Sequence, residues 1–504
     1  MSFFKKTNPR RTQVRRNIAA ERFSKLTRLI NRDIVSSVIL WLVFVAVCAL
    51  IFSFELNQQR RYIEVISMTL IVVLISLAAG LYIHRFQSRI IQNHTRALAL
   101  AGLFILLLAT TRFGVLLTKQ TFWATGTAVT AAIILAIAYN QRFAIGMSIL
   151  YCLFAQFAAG PAMDIKLFLT MTAGAVTCCF SLKEIRTRIK LLQVSALAAV
   201  LVFIAAAASD IIAQPLRLGD VFVNSGYHAG ITLGVGVLIQ SLLPIIERVF
   251  RIATSMTLLD YSDANQPLLK RLAMEAPGTF SHSLLVGSIA EAAAEAIGRN
   301  GLLCRVGAYY HDVGKINKPS YFIENEMGST SRHKELSPAM SQLVIVGHVK
   351  DGIEMAREYK LPAVLHQFIE THHGTTLVEY FYNEAKKKLD EKSWQTLSES
   401  EFRYAGPKPR TKEAAIVMLA DSVEGAVRSL PEVTPNKIEA VVHNMAMKRL
   451  QDGQFDECDL SLRELSQIEE SISKTLAAHY HGRITYPHPP DVPEETVTIE
   501  NKKS

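Results

Sequence analysis

Apolar residues run almost without interruption through the first half of the chain and recur with helical spacing through the second. Eight apolar runs, at 34–54, 65–82, 97–117, 123–139, 143–159, 167–180, 194–212 and 229–246, carry very few charges. A membrane-spanning helix needs about 20 mostly apolar residues. The pattern therefore predicts a polytopic transmembrane bundle of about eight helices over 34–247, with 167–180 the shortest run. Beyond residue 248, helical patterning predicts helices at 268–274, 281–297, 302–310, 338–359, 361–371, 378–389, 412–430, 435–450 and 461–480. Alternating strand patterns are almost absent, so the fold class is all-α throughout. Breaks are expected at Pro277 and Gly278, around Gly406 to Pro409, and at Pro431. Four segments follow: a basic arm at 1–33, the membrane bundle at 34–247, a helical domain at 252–486, and a Pro- and Glu-rich tail at 487–504 that reads as disordered.

Composition narrows the class. Of 504 residues, 50% are hydrophobic and 19% charged, far too apolar for a disordered chain. The six cysteines include no Cys-x-x-Cys pair, so neither a thiolate zinc site nor a disulfide scaffold is indicated. The net charge of +10 is explained by where it lies. The arm from Lys5 to Arg32 and the flanks holding Arg85, Arg89, Arg96, Arg142, Lys183, Arg186, Arg188, Lys190, Arg248 and Arg251 fall on one side of an eight-span bundle. The other side carries Arg60, Arg61, Arg112, Lys119, Lys166 and Arg217. By the positive-inside rule the first side is cytoplasmic, and it includes both the N-terminus and the large C-terminal half. The charge is thus topological, with attraction to anionic lipid as a further use, and a nucleic-acid polymer is not needed as a partner. The arm is too long for a signal peptide and lacks a small-residue cleavage site. Asp210 and Arg112 sit near run ends, where interfacial placement explains them better than a transport path.

The candidate chemistry lies in the C-terminal half. Five histidine positions group with two aspartates: His282, His311 with Asp312, His348, His372 with His373, and Asp421. Any one of them alone would ordinarily be a surface or core residue. Neighbours on a helix point about 100° apart, so an adjacent pair serves two ions more readily than one. Two such pairs on different helices suit a two-metal site. Imidazole with carboxylate favours Fe, Mn or Zn in a catalytic setting. Lys315 is placed either to stabilise charge on a phosphoryl oxygen or as a solvated turn lysine. Lys350 and Arg428 are weaker phosphate candidates, and His333 and His366 read as structural. The stretch after Gly278 reads as a turn before a helix, without P-loop spacing.

The segment from Pro267 to Lys318, PLLKRLAMEAPGTFSHSLLVGSIAEAAAEAIGRNGLLCRVGAYYHDVGKINK, resembles the HD domain of the seven-transmembrane HD family of bacterial cyclic-di-AMP phosphodiesterases. FIEN at 322–325, LSP at 336–338, GHVKDG at 347–352, HHGTT at 372–376, FRYAGPKPRTKEAAIVMLADSVEGAVRSL at 402–430 and DGQFDECDL at 452–460 extend the likeness. It spans about 230 soluble residues and continues into the membrane half by hydropathy. The resemblance implies that Asp312 bridges two transition-metal ions, Mn or Fe. His282, His311 and Asp421 would complete one site, and His348, His372 and His373 the other. It also implies hydrolysis of cyclic-di-AMP to the linear dinucleotide pApA at the bacterial inner (cytoplasmic) membrane, and Asp312 with Lys315 are the catalytic candidates.

One departure stands out. Members of the family usually carry a large extracellular domain after the first span, whereas residues 55–64 are too few to form any domain. Control by an external ligand of the usual kind is therefore not expected. Competing readings are hydrolysis of cyclic-di-GMP or of a nucleoside triphosphate, and a non-catalytic nucleotide-binding receptor. The Gly-Tyr-Pro signature of the cyclic-di-GMP subgroup does not follow His373, where Gly374, Thr375 and Thr376 stand. Oligomeric state and base-recognising residues are left open.

Overall fold

The computed structural model describes residues 35–54, 61–87, 90–91, 93–160, 163–182, 187–213, 217–250, 252–326, 332–390 and 397–481. The basic arm, the tail and the flanking cations Arg60, Arg89, Lys183, Arg186 and Arg251 lie outside them. The chain divides into two compact units, Met1–Thr257 and Leu258–Ser504.

In the first unit, eight apolar helices follow one another: α1 Val35–Ser53, α2 Arg61–Phe86, α3 His94–Thr118, α4 Phe122–Ala138, α5 Gln141–Ala159, α6 Ile165–Ser181, α7 Arg188–Ala213 and α8 Leu218–Phe250. Six are long and apolar enough to cross a membrane, while α4 and α6 are shorter, at 17 residues each. The small residues of α4, FWATGTAVTAAIILAIA, let α3, α5, α6 and α8 pack against it closely, which puts this short helix at the centre. Leu50, Ile63, Leu117 and Ile212 are largely exposed, the disposition of side chains that face lipid.

The largest difference from the expected spans is α8, which starts at Leu218 rather than 229. Asp220, Asn224, Ser225 and His228 lower the hydropathy of that stretch. They are nonetheless helical, with Asn224 Nδ2 donating to Asp210 on α7 (2.7 Å) and the His228 ring 2.7 Å from the Thr125 hydroxyl on α4. Asp210 also lies 3.8 Å from Lys166 Nζ, and Arg112 donates to the Phe54 carbonyl. Both charges found near run ends are thus tied down locally.

Among its described residues the second unit is helical apart from one isolated bridge between Leu377 and Arg403. After α9 Ser255–Tyr261 come α10 Pro267–Glu275, α11 Pro277–Ala296, α12 Gly301–Tyr310, α13 Pro338–Glu358, α14 Ala363–Thr371, α15 Glu379–Asp390, α16 Lys412–Arg428, α17 Pro435–Gln451 and α18 Leu462–His481. Prolines open α10, α11, α13 and α17, where their missing N–H costs nothing. The Asn300, Ser337 and Thr411 side chains cap α12, α13 and α16. Leu465, Ile468, Ile472 and Leu476 form one buried stripe on α18, and α11 packs against α12, α16 and α18.

Gly278 corrects the sequence reading. It stands in the first turn of α11 rather than in a turn before it. A Cβ there would meet the Glu324 carbonyl oxygen at 1.8 Å, so glycine is required by close approach of the 3-10 turn Ile323–Asn325.

Candidate metal centre

Five helices bring the candidate residues together. His282 projects from α11, His348 from α13 and Asp421 from α16, while His311–Asp312 and His372–His373 follow the last residues of α12 and α14. Helix C-termini carry a partial negative charge, so two of the five segments that form the cluster favour a cation before any side chain is counted. Ligand-capable atoms form two groups within 4.8 Å, one of Asp312, His348, His372 and His373, the other of His282, His311, Asp312 and Asp421. Asp312, 1% exposed, belongs to both.

Its two oxygens divide the work. Oδ1 faces His348 Nε2 at 3.3 Å and His372 Nε2 at 3.5 Å. Oδ2 faces His311 Nε2 at 3.2 Å, His282 Nε2 at 3.7 Å and Lys315 Nζ at 2.7 Å. Asp421 Oδ1 lies 3.0 Å from His282 Nε2 and 3.6 Å from His311 Nε2, and its Oδ2 is 4.0 Å from His373 Nδ1.

Tautomers follow from the outer contacts. His311 Nδ1 donates to the Ala308 carbonyl (2.6 Å), His348 Nδ1 to Ile345 (2.5 Å), and His372 Nδ1 to Phe368 and Ile369 (3.0 Å each). A carbonyl can only accept, so the hydrogen sits on Nδ1 and the Nε2 lone pair points inward. His348 Nε2 and His372 Nε2 then face each other at 3.1 Å, lone pair to lone pair, a repulsive arrangement unless a cation lies between them. His311 Nε2 and Asp312 Oδ1 are buried and find no hydrogen-bond partner among the described residues. Buried polar atoms are ordinarily satisfied. With nitrogen and oxygen donors and no thiolate, the two clusters fit the metal site of an HD domain.

The field divides the rings: burial lowers His311, but Asp312 and Asp421 outweigh it and raise it to about 10, so a metal ion there would displace the Nε2 proton. Burial pushes His348 down to about 3, and burial with the neighbouring His372 holds His373 well below the usual imidazole range. Both rings are therefore neutral and able to ligate. Burial alone would raise Asp312, but His311 and Lys315 outweigh it and keep the carboxylate ionised.

The remaining candidates separate. Lys315 is clamped between Asp312 and Glu324 Oε1 (2.7 Å) and lies over the Phe322 ring, so it is not a solvated turn residue. Lys350 is 83% exposed and paired with Glu354, away from the cluster. Arg428 sits 3.5 Å from Glu424 Oε1. His333 bonds the Tyr321 carbonyl and His366 the Leu361 carbonyl, as structural residues do.

Five supporting residues escaped the sequence reading. Glu424, buried one turn after Asp421, accepts from His282 Nδ1 at 2.6 Å, and its three-residue spacing from Asp421 was the available signal. Glu324 also accepts from the Thr279 hydroxyl (3.0 Å) and so ties Lys315 to α11. The Tyr404 ring stacks on His373 at 4.2 Å. Gln454, fully buried, accepts from Thr375 N (2.9 Å) and donates to Asp452 (2.9 Å), while Arg403 bridges Thr375 O and Asp452. The segment 452–460 therefore holds the turn that carries His373, a long-range role with no local signature.

Membrane-length helices followed by a helical unit whose buried His/Asp clusters fit a metal site are the architecture of a membrane-anchored HD-domain protein. Residues 62–254 match the family described as 7TM receptor with intracellular HD hydrolase, and residues 279–426 match the HD domain. By these two matches the chain joins a membrane region similar to that family's to an HD domain, and it is a multi-pass membrane protein with an intracellular HD domain. It is 49% identical over 251 residues to the cyclic-di-AMP phosphodiesterase PgpH of Bacillus subtilis (strain 168), covering 50% of this chain and 35% of the relative. To PgpH of Listeria monocytogenes serotype 1/2a (strain 10403S) it is 42% identical over 276 residues, covering 55% and 37%. The crystal structure of the L. monocytogenes PgpH HD domain in complex with cyclic-di-AMP is 44% identical, with a TM-score of 0.41, and covers 44% of this chain and 100% of that one. The matches span about a third of the length of the curated relatives.

Proposed function

We propose that the chain is a metal-dependent phosphodiesterase that hydrolyses cyclic-di-AMP to pApA from the cytoplasmic face of a bacterial inner membrane. Residues 34–247 would anchor the enzyme, and 252–486 would form the catalytic domain. The observation that carries this reading is the pair of clusters sharing Asp312, one carboxylate oxygen aimed at each. Two Mn or Fe ions fit the donors, one held by His282, His311, Asp312 and Asp421 and the other by Asp312, His348, His372 and His373. When bound, such ions supply Lewis acidity and an ionised water. The substrate class is supported by the names of both PgpH relatives, which match about half of this chain at 49% and 42% identity.

The chain's own part is orientation and charge. Backbone carbonyls and Glu424 fix the rings so that every Nε2 presented by His282, His311, His348 and His372 faces inward. Lys315, kept protonated because Asp312 and Glu324 outweigh its burial, places a fixed positive charge beside the bridging carboxylate. In the reaction, water adds across one P–O ester bond. Phosphorus gains the hydroxyl oxygen, the leaving 3′ oxygen takes a proton, and the ring opens to a 5′-phosphate and a 3′-hydroxyl.

The test is hydrolysis by the full chain in lipid, loaded with Mn or Fe and offered cyclic-di-AMP, cyclic-di-GMP and GTP side by side. Selective release of pApA is expected. Preferential turnover of either other nucleotide would overturn the substrate assignment.

A further inference from the structure

The cluster is nearly sealed, and its exposed side is defined by two residues. His373 and Asp421 have side chains 22% and 13% exposed, whereas those of His282, His311, Asp312, His348 and His372 are 4% or less. A substrate therefore reaches the reacting centre past His373 and Asp421. The surrounding cations are mostly claimed: Lys315 by Asp312 and Glu324, Arg403 by Asp452, Lys448 by Glu379, Lys408 by Asp456, and Arg428 by Glu424.

Arg449 is different. It stands on α17, is half-buried, and makes no ion pair with a carboxylate among the described residues. Its Nη2 and Nε donate to the Ser422 hydroxyl at 2.8 and 3.3 Å, and Ser422 directly follows Asp421 on α16. The acidic groups whose field reaches it are Asp421, Glu379 and Asp452, together with Tyr404, the ring stacked on His373. A guanidinium withdrawn from water without a carboxylate partner is costly to keep. Its planar fork is well suited to non-bridging phosphate oxygens.

We propose that Arg449 is a phosphate-binding residue that receives the substrate phosphodiester at the His373–Asp421 opening. The proposal rests on the phosphodiesterase reading but concerns the phosphoryl group, not the base. Ser422 orients the fork, so one edge of the guanidinium is held by the protein and the other is presented to the ligand.

The experiment compares full-length wild type with Arg449→Gln, Arg449→Lys and Ser422→Ala in lipid. Each is assayed with cyclic-di-AMP and with the generic diester bis(p-nitrophenyl) phosphate, and bound metal is measured on the same samples. A charge-assisted pair lost to a phosphate corresponds to roughly a 10–100-fold change. The expected result is a rise in KM of that size for Arg449→Gln on both diesters, a smaller rise for Arg449→Lys and Ser422→Ala, and unchanged metal content. If wild type cleaves the generic diester but not cyclic-di-AMP, the substrate reading fails while the same KM pattern on the generic diester still supports Arg449. Kinetics within twofold of wild type in Arg449→Gln would overturn the proposal. So would losses that simply track lost metal across the three variants, because they mark a structural role.

Discussion

The two halves of this chain use their buried polar side chains differently. In the membrane unit, several buried threonines bond back into their own helices, while Thr125 reaches His228 on α8. Thr111 donates to Leu107, Thr170 to Lys166 and Thr232 to His228, each four residues back. Water is absent from a bilayer core, so local satisfaction is the simplest solution for each hydroxyl. In the HD unit, imidazoles and carboxylates are buried just as deeply, but their lone pairs converge on shared points and some find no partner. The difference separates a scaffold from a site: in the first, hydroxyls bond back into their helices or across to one neighbour, whereas the second brings several electron-pair donors to a common centre.

The comparison is broken most directly at Asp312. Asp312→Ala removes the one residue common to both clusters, and turnover is expected to fall to background while helical content by circular dichroism is retained. Unchanged turnover would remove the site assignment. Chelation should likewise abolish activity, and added Mn or Fe should restore it; full activity in protein verified to be metal-free would end the metal mechanism.

Close packing around the cluster comes next. A Cβ on Gly314 would meet the His348 carbonyl oxygen at 1.9 Å and Gly352 N at 2.5 Å. Gly314→Ala is expected to cost about 3 kcal/mol, read as a fall in melting temperature of roughly 6–12 °C for a unit of this size. Glu424→Gln keeps an acceptor for His282 but removes the buried charge behind it. A roughly 10–100-fold weaker metal affinity is expected, measured by competition with a chromophoric chelator.

Smaller effects test the outer shell. Lys412 and backbone contacts from Ser461 hold Glu464 down to about 2, with Lys412 Nζ 2.5 and 2.7 Å from its two oxygens. A depressed carboxylate stabilises the fold fully above its unfolded value near 4.5 and loses that contribution as pH falls toward about 2. Melting temperature of Glu464→Gln should therefore differ from wild type at pH 7 and converge with it at pH 2–3. The smallest change is expected in the membrane unit. Thr170→Val removes a hydroxyl bonded only to its own helix, and should shift stability by no more than about 1 kcal/mol.

Residue order alone determined a great deal here. Hydropathy located eight apolar helices, because lipid imposes a one-dimensional length requirement that any window can read. Helical spacing placed the soluble elements to within a few residues, and residue chemistry singled out His282, His311, Asp312, His348, His372, His373 and Asp421 as one group. Where polar residues line the bundle interior, as at 218–228, the same hydropathy window missed helix that packing supports. The three-dimensional arrangement decided what no window can see: which oxygen of Asp312 faces which histidines, that Glu424 stands behind His282, that Gln454 secures the His373 turn from 79 residues away, and that Lys350 points into solvent while Arg449 bonds Ser422 beside Asp421. Periodicity and composition are properties of neighbours along the chain. The direction of a lone pair is set by helices distant in sequence meeting at one point, and only the folded structure brings them there.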